Sequence, residues 1–157
     1  MANRRKQIEM SEQEIQNFLD EERVAIVTSF GPRGWPHSMP LWYQVVDGNV
    51  RSWTFRKSQK VKNLERDPRA TVLIEAGYDD YSQLRGVMYE CETVIHDDLE
   101  TVLEFGLGSV RRYAPEGEEP SPEMVEAFRE QAPKRVVLEF VPQHTVSWDH
   151  RKLGGVY

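Results

Sequence analysis

Cysteine is almost absent from this sequence. Its 157 residues include one cysteine, Cys91, so no disulfide can form within the chain. Structural zinc and iron–sulfur sites need several spaced thiolate or imidazole ligands, and neither Cys91 nor the four histidines offer such a spacing. The sequence therefore predicts no metal site, and Cys91 is expected to face a strand interior as a small apolar residue.

Long hydrophobic runs are also missing. The longest run, Val24–Val27, is far shorter than the roughly 18 residues that a membrane span needs, and the basic N-terminus leads into a polar stretch. With 39% apolar residues and no repeat at a fixed period, the composition predicts one globular domain over residues 1–157. We expect a cytoplasmic protein without a membrane span.

The common catalytic and phosphate-binding motifs are absent as well. The sequence has no G-x-x-x-x-G-K-[ST] loop and no G-x-G-x-x-G after a first strand, which argues against ATP and Rossmann-type dinucleotide binding. No serine, histidine and acid follow a recognisable triad order. Because no side chain is marked as a nucleophile, an enzymatic activity would need the chemistry of a bound cofactor.

Charge is unevenly distributed along the chain. The net charge is +3 over residues 1–70 and −9 over residues 71–157, which gives −6 overall. Seven basic and two acidic residues lie between Arg51 and Arg69, a stretch that we call the basic island. Because the acidic second half repels a phosphate polymer, we expect no nucleic-acid partner and a small anionic ligand at the island. A solvated basic helix surface is the competing interpretation.

Alternating apolar residues and turn signals predict a mainly β fold. Ser11 and Glu14 form a capping box before a helix over residues 12–21, and Asp47-Gly48 is typical of a tight hairpin turn. Strands are predicted at residues 24–29, 37–46, 49–55, 70–76, 84–95 and 135–141, with further helices beginning near Ser58, Asp98 and Ser121. Six strands and few helices indicate a small antiparallel barrel, because closing the sheet removes exposed edges.

A predicted strand runs directly into a helix start at residues 53–60. Free backbone N–H groups and the positive end of the helix dipole favour an anion at such a junction, and Lys57 and Lys60 add positive charge. The pattern predicts a phosphate site here. Trp42 and Trp53 lie on neighbouring predicted strands, where they either pack in the core or face a planar ring system.

Several stretches together resemble the pyridoxamine 5′-phosphate oxidase-like split β-barrel superfamily of flavin and deazaflavin proteins. The resemblance covers nearly the whole chain, and its most specific part is the K-x-x-N-L-x-x-D-P-R pattern of residues 60–69. The other matching stretches are Val24–Ser29, Gly34–His37, Pro40–Tyr43 and Leu84–Val87. The tail at residues 147–154 is similar to that of actinobacterial members that use coenzyme F-420.

The resemblance implies a six-stranded antiparallel split β-barrel with short helices, of the FMN-binding type, that forms a homodimer with the cofactor sites at the subunit interface. The cofactor phosphate would meet Lys60, helped by Lys57, Ser58 and Gln59. The residues along the flavin-like ring would be Met39, Pro40 and Leu41 on one strand and Trp53, Thr54 and Phe55 on the next. The tail, with Trp148, folds over a ligand, onto a partner subunit, or simply against its own domain.

The implied cofactor is coenzyme F-420, with FMN as the alternative. The residues by which the namesake oxidase captures pyridoxine phosphate are not recognisable in this tail, so vitamin B6 oxidation is not expected. The deazaflavin carries an acidic tail beyond its phosphate, which Arg56, Lys57 and Lys62 would attract.

The expected function is hydride transfer from the reduced deazaflavin to a small unsaturated organic substrate. Tyr43 or a bound water is the expected proton source, and the protein would hold donor and acceptor together in a water-poor cleft. Two other functions stay open, an FMN-dependent oxidoreductase of the same fold and a non-catalytic protein that binds a cofactor or a tetrapyrrole.

Overall fold

The β-branched and alternating segments form one antiparallel sheet in the computed structural model, which describes residues 3–115 and 118–155. The strands within these residues are β1 (Val24–Phe30), β2 (Pro36–Trp42), β3 (Gln44–Val46), β4 (Asn49–Phe55), β5 (Arg69–Ala76), β6 (Arg85–His96) and β7 (Arg135–Asp149). Their order in the sheet is β2-β1-β5-β6-β7-β4-β3, and all neighbouring strands are antiparallel.

The number of strands corrects the prediction of six, because the described residues form seven. The predicted strand at residues 37–46 is interrupted at Tyr43 and forms β2 and β3. β2 pairs with β1 at one border of the sheet, and β3 pairs with β4 at the other. Because one continuous segment reaches both borders, the sheet curls on itself, and the predicted split-barrel type fits.

Long-range packing accounts for the interruption at Tyr43. The ring is fully buried, and its hydroxyl donates to the Leu19 carbonyl over 2.7 Å. The Tyr43 amide donates to the Arg23 carbonyl over 3.3 Å, and the Arg112 guanidinium stacks over the ring at 5.3 Å from its centroid. These contacts take one residue out of the ladder between β2 and β3.

The last strand extends well beyond the predicted end at Val141. Its second half pairs with the first half of β6, after a register shift between Glu90 and Cys91. Gly86 therefore lies directly opposite Trp148. A Cβ atom at Gly86 would come within 2.3 Å of the Trp148 indole, so the glycine makes room for this ring.

The α-helices of the described residues are α1 (Arg4–Gln7), α2 (Glu12–Glu21), α3 (Gln59–Arg66), α4 (Leu99–Tyr113) and α5 (Pro122–Gln131). The predicted capping box begins α2, since Ser11 Oγ accepts from the Glu14 amide over 3.3 Å and the Glu14 carboxylate accepts from the Ser11 amide over 2.6 Å. None of the described helices is long and apolar enough to cross a membrane.

The apolar side chains divide into two clusters. The larger cluster fills the barrel between the inner faces of the strands, with α2 and α3 contributing. The smaller one lies where α4 packs on the outer side of β7, around the fully buried Val137. Cys91 belongs to the barrel cluster as predicted, and burial raises the pKa of its thiol to about 12.

The C-terminal tail docks against the N-terminal part of its own chain. The Asp149 amide donates to the Ile8 carbonyl over 2.7 Å. The Lys152 ammonium donates to the Glu9 carbonyl and to the Glu14 carboxylate, over 2.7 Å each. Three arrangements were expected for the tail, and the single chain shows the tail docked on its own domain.

Candidate functional site

The split in the barrel lies between β2 and β4. Some Cα atoms of β2 lie within 8 Å of Cα atoms of β4, but among the described residues no ladder of backbone hydrogen bonds joins the two strands. If the pairing of β3 with β4 continued from Gln44 into β2, Trp42 would lie opposite Trp53 and Pro40 opposite Phe55. We call this gap the seam. Residues 39–41 and residues 53–55, the two segments predicted to hold a ring system, lie on its two sides.

The side chains of β4 divide between the two faces of the sheet. Ser52 and Thr54 are buried on the inner face, towards the barrel interior. Trp53 and Phe55 lie on the outer face, where Trp53 packs edge-to-face against Phe128 of α5 with ring centroids 5.4 Å apart. Of the predicted ring contacts on this strand, only Thr54 therefore directs its side chain to the inner side of the seam.

The side chains of β2 divide in the same way. Met39 and Leu41 are paired with the buried residues Val27 and Ala25 and share their inner face, whereas Pro40 faces outward. Met39 is nevertheless 40% exposed, because the seam leaves this edge of the barrel uncovered. A ring placed in the seam would meet the side chains of Met39, Leu41 and Thr54.

Lys60 reaches into the seam from the first turn of α3. Its ammonium donates to Thr54 Oγ1 over 3.0 Å, and no carboxylate pairs with it among the described residues. Burial lowers the pKa of Lys60. A partly buried ammonium without a counter-ion favours an anion beside it, since an uncompensated charge is expensive to desolvate.

Several buried polar atoms beside the seam have no hydrogen-bond partner in the described part of the chain. Ser58 is at the N-cap position of α3, but its hydroxyl accepts no bond from the helix and is buried without a partner among the described residues. Ser52 Oγ on β4 and His37 Nδ1 on β2 are also buried and, in the described part of the chain, have no hydrogen-bond partner. Buried polar groups are normally satisfied, so these atoms fit a site that a polar ligand completes. The donor set, an ammonium and hydroxyls at a helix start, suits a phosphate ester.

Ser52 and His37 were not among the predicted site residues. A signal for Ser52 existed in the sequence, since Ser52 and Thr54 place hydroxyls at alternate positions of β4, on the face that they share with Val50. His37 has no comparable signal. Its strand partner Ser29 accepts a hydrogen bond from Asn63 of α3 over 3.1 Å, which sets this end of β2 beside the helix.

The basic island separates into paired arginines and unpaired lysines. Arg56, predicted to attract an acidic cofactor tail, forms an exposed ion pair with Asp97 at 3.0 Å, which offsets part of its charge. The other arginines of the island also have partners: Arg51 with Glu139, Arg66 with the Phe30 carbonyl and Arg69 with Asp67. Lys57 and Lys62 are exposed and, within residues 3–115 and 118–155, have no ion pair.

The remaining predicted site residues lie in three different situations. Gln59 is exposed and donates to Asn63 of the same helix over 2.9 Å. Trp148 is stacked over Gly86, at the opposite end of β7 from the residues that pair with β4, so it does not reach the seam of its own chain. Tyr43 is buried, and burial raises the pKa of its hydroxyl. Because that hydroxyl already donates to the Leu19 carbonyl, we assign Tyr43 no role in proton transfer.

The curled antiparallel sheet and its seam define the class of split β-barrel proteins. Residues 11–149 match the family model described as pyridoxamine 5′-phosphate oxidase, and the chain belongs to this family. No curated protein matches the sequence.

Solved structures place the chain within the same fold. It is 39% identical to the conserved hypothetical protein Rv2991 from Mycobacterium tuberculosis, with a TM-score of 0.86 over 98% of this chain and 93% of that one. An F420 reductase is 19% identical, with a TM-score of 0.60 over 83% and 94% of the two chains. The heme storage protein HutZ from Vibrio cholerae is 13% identical, with a TM-score of 0.66 over 87% and 94%. The last two comparisons show the shared fold alone.

Proposed function

We propose that the chain binds the phosphate-bearing deazaflavin coenzyme F-420 in the seam and acts as an oxidoreductase on a small unsaturated organic substrate. The observation that carries this proposal is Lys60, a half-buried ammonium at a helix start, bonded to a hydroxyl and not paired with a carboxylate in the described part of the chain. The unpartnered hydroxyls of Ser52 and Ser58 supply further polar contacts. A cofactor phosphate provides the missing charge and accepts these hydrogen bonds.

The unpaired lysines favour the deazaflavin over FMN. FMN ends at its phosphate, whereas the deazaflavin continues into an acidic tail. Lys57 lies in the turn before α3 and Lys62 lies on α3 two residues after Lys60, and both are exposed. Because neither is neutralised by an acidic side chain that the structure describes, they support an anionic extension of the ligand.

The proposal includes a homodimer. On the outer face of the sheet, one registered row of apolar side chains crosses five strands: Pro40, Ile26, Leu73, Met88 and Val146. Ile26 is 37% exposed in the single chain. A continuous apolar row that is partly exposed in the single chain is typical of a protein interface, and a second copy offers the same row to cover it. Trp148 lies in the neighbouring row, where it would reach the ligand of the partner subunit.

The chain would contribute binding and orientation to the reaction. When bound, the reduced deazaflavin supplies a hydride, which the substrate takes together with a proton from water. Lys60 would hold the phosphate end, and Met39, Leu41 and Thr54 would fix the ring at the seam. The bound cofactor and the second subunit of the proposed homodimer would cover the seam, so donor and acceptor would be held in contact.

Titration of the purified protein with coenzyme F-420 and with FMN tests the choice of cofactor. Tryptophan quenching gives both dissociation constants, and we expect tighter binding of the deazaflavin. Tighter binding of FMN would favour the FMN-dependent alternative, while binding of neither would overturn the proposed function.

A turnover assay separates an enzyme from a carrier. Reduced cofactor is supplied with a panel of enones and quinones, and its reoxidation is followed by absorbance. We expect reoxidation that depends on the protein with at least one acceptor. Tight binding without turnover across the panel would instead favour a non-catalytic cofactor-binding protein.

A further inference from the structure

A second cavity lies outside the seam, where α4 and α5 cover the outer face of the sheet. Its volume is about 240 Å³. Five aromatic side chains and one hydroxyl line it: Trp42, Trp53, Phe105, Tyr113, Phe128 and Ser109. The volume is smaller than the roughly 300 Å³ at which pockets for drug-sized ligands begin, so a small molecule of one or two rings suits it.

The walls of this aromatic pocket are held in place by packing. Trp42 and Tyr113 are edge-to-face with ring centroids 4.5 Å apart, and Trp53 and Phe128 form a second such pair at 5.4 Å. α4 comes close to Trp53 at Gly106, where a Cβ atom would lie 2.4 Å from the indole. Fixed rings of this kind lose little conformational entropy when a ligand binds.

The Ser109 hydroxyl of the pocket is already satisfied. Ser109 Oγ accepts from the Gln44 side chain over 2.6 Å and donates to the Phe105 carbonyl over 3.0 Å. No acidic side chain lines the cavity within the described residues. A ligand therefore gains mainly aromatic and apolar contacts here.

Arginine guanidinium groups stack on two of the rings that line the pocket, Tyr113 and Trp53. The guanidinium groups of Arg112 and Arg23 stack over Tyr113, at 5.6 and 5.8 Å from the ring centroid. Arg135 stacks over Trp53 at 4.9 Å and forms no ion pair among the described residues. An aromatic cage for a quaternary ammonium needs free ring faces and no competing cations, so these arginines disfavour a cationic ligand.

We propose that this pocket binds a planar aromatic or conjugated molecule of one or two rings that is neutral or anionic. The pocket borders the seam, since Trp42 follows Leu41 and Trp53 precedes Thr54. The geometry of the pocket supports this binding proposal independently of the cofactor proposal. Its use for the hydride acceptor rests on the proposed function.

Calorimetric titration of the cofactor-free protein with 2-naphthoate tests the pocket. Two probes serve as comparisons, the saturated anion cyclohexanecarboxylate and the aromatic cation phenyltrimethylammonium. We expect 2-naphthoate to bind about tenfold more tightly than either probe. Equal or tighter binding of the cation, or no binding of 2-naphthoate, would overturn the proposal.

Substitutions locate the bound probe. Trp42→Leu and Phe128→Leu each remove one wall, and we expect each to weaken 2-naphthoate about fivefold. Trp35→Leu is the matched control, because Trp35 is 76% exposed in the turn before β2 and lies outside the pocket. Loss of binding in the control, or unchanged binding in a folded Phe128→Leu variant, would overturn the assignment.

The same preparations distinguish this proposal from the cofactor proposal. Binding of 2-naphthoate by a protein that takes neither coenzyme F-420 nor FMN would support the pocket and overturn the proposed function. Cofactor binding without any affinity for 2-naphthoate would do the reverse.

Discussion

Strand β4 carries a polar cluster on each of its faces, and the two clusters are built differently. On the outer face, Glu139 accepts from Arg51 over 3.0 Å and from Asn49 over 2.8 Å, and its second oxygen lies 2.6 Å from His96 Nε2. On the inner face, the Lys60 ammonium donates to the hydroxyl of Thr54 over 3.0 Å and, among residues 3–115 and 118–155, to no other side chain.

The difference separates a stabilising cluster from a binding site. The outer cluster satisfies its own charges, so its removal should affect folding and leave ligand binding unchanged. The inner cluster leaves charge and hydroxyls unsatisfied beside an open seam, so its removal should affect the ligand and leave folding unchanged. The predictions below ask whether these two effects can be separated.

The largest expected effect comes from Glu139→Ala. This change leaves Arg51, Asn49 and His96 without their common acceptor, and we expect a loss of about 3 kcal/mol in the free energy of unfolding. Urea denaturation measures it. Glu130→Ala, at an exposed position of α5, is the control and should unfold like the parent protein. Weakened cofactor binding by a stable Glu139→Ala variant would contradict the separation.

Lys60→Ala should produce the opposite result. Loss of the charge-assisted bond to the phosphate should weaken cofactor binding by about 2 kcal/mol, while the free energy of unfolding changes by less than about 0.5 kcal/mol. Fluorescence titration and urea denaturation measure the two quantities. Lys6→Ala removes the same charge from an exposed site on α1 and serves as the control. Equal cofactor affinity in both variants would exclude Lys60 from the site.

The outer cluster should lose its stabilising effect at acid pH, and the inner cluster should lose cofactor affinity at alkaline pH. Burial raises the pKa of Glu139, but hydrogen bonds from Asn49, His96 and Arg51 outweigh it and lower the pKa to about 2. The stabilisation by this carboxylate is therefore present above its ordinary pKa of 4.5 and is lost as pH falls towards 2. Chemical denaturation between these values measures the loss, which Glu139→Gln should abolish.

Cofactor affinity should instead fall at alkaline pH. Burial lowers the pKa of Lys60, so its ammonium loses the proton below the ordinary value of 10.5. Binding to the phosphate requires the charged form, and affinity should decrease as pH rises through the lowered pKa. The Lys60→Ala variant should lack this alkaline decrease, and an identical pH profile in that variant would exclude the explanation.

The smallest effect is expected from Ser52→Ala. This hydroxyl has no hydrogen-bond partner among the residues that the structure describes, so its removal should leave the free energy of unfolding unchanged and weaken cofactor binding by less than about 1 kcal/mol. Ser109→Ala is the matched control, since it removes a hydroxyl with two partners and should lose about 1 kcal/mol of stability. A similar loss of stability in both variants would show that Ser52 is satisfied within the chain.

Most of the fold could be predicted from local patterns. The capping box at Ser11 and the alternating strands are short-range signals, and the structure has these elements. The break at Tyr43 could not be predicted, because it depends on contacts with Leu19 and Arg112, which lie far away in the sequence. The end of β7 was missed for a related reason. Its exposed polar residues around His144 show no apolar alternation, and only pairing with β6 makes them a strand.

The sequence was enough to predict the residue types of the candidate site, but not which of its side chains have partners elsewhere in the chain. The cations and hydroxyls of residues 57–60 are visible in the sequence as an anion site. Arg56 and Asp97 are 41 positions apart in the sequence, so the sequence could not show that they form an ion pair. The unpartnered state of Ser52 and His37 is likewise a property of the folded chain.

Binding of a cofactor with and without its phosphate, in the parent protein and in Lys60→Ala, tests the central claim most directly. The pair is coenzyme F-420 and its deazaflavin fragment that lacks the phosphate, or FMN and riboflavin if FMN is preferred. If Lys60 binds the phosphate, removing the phosphate weakens binding strongly in the parent and little in the variant, with a coupling energy of about 2 kcal/mol. A coupling energy near zero would contradict a phosphate site at Lys60.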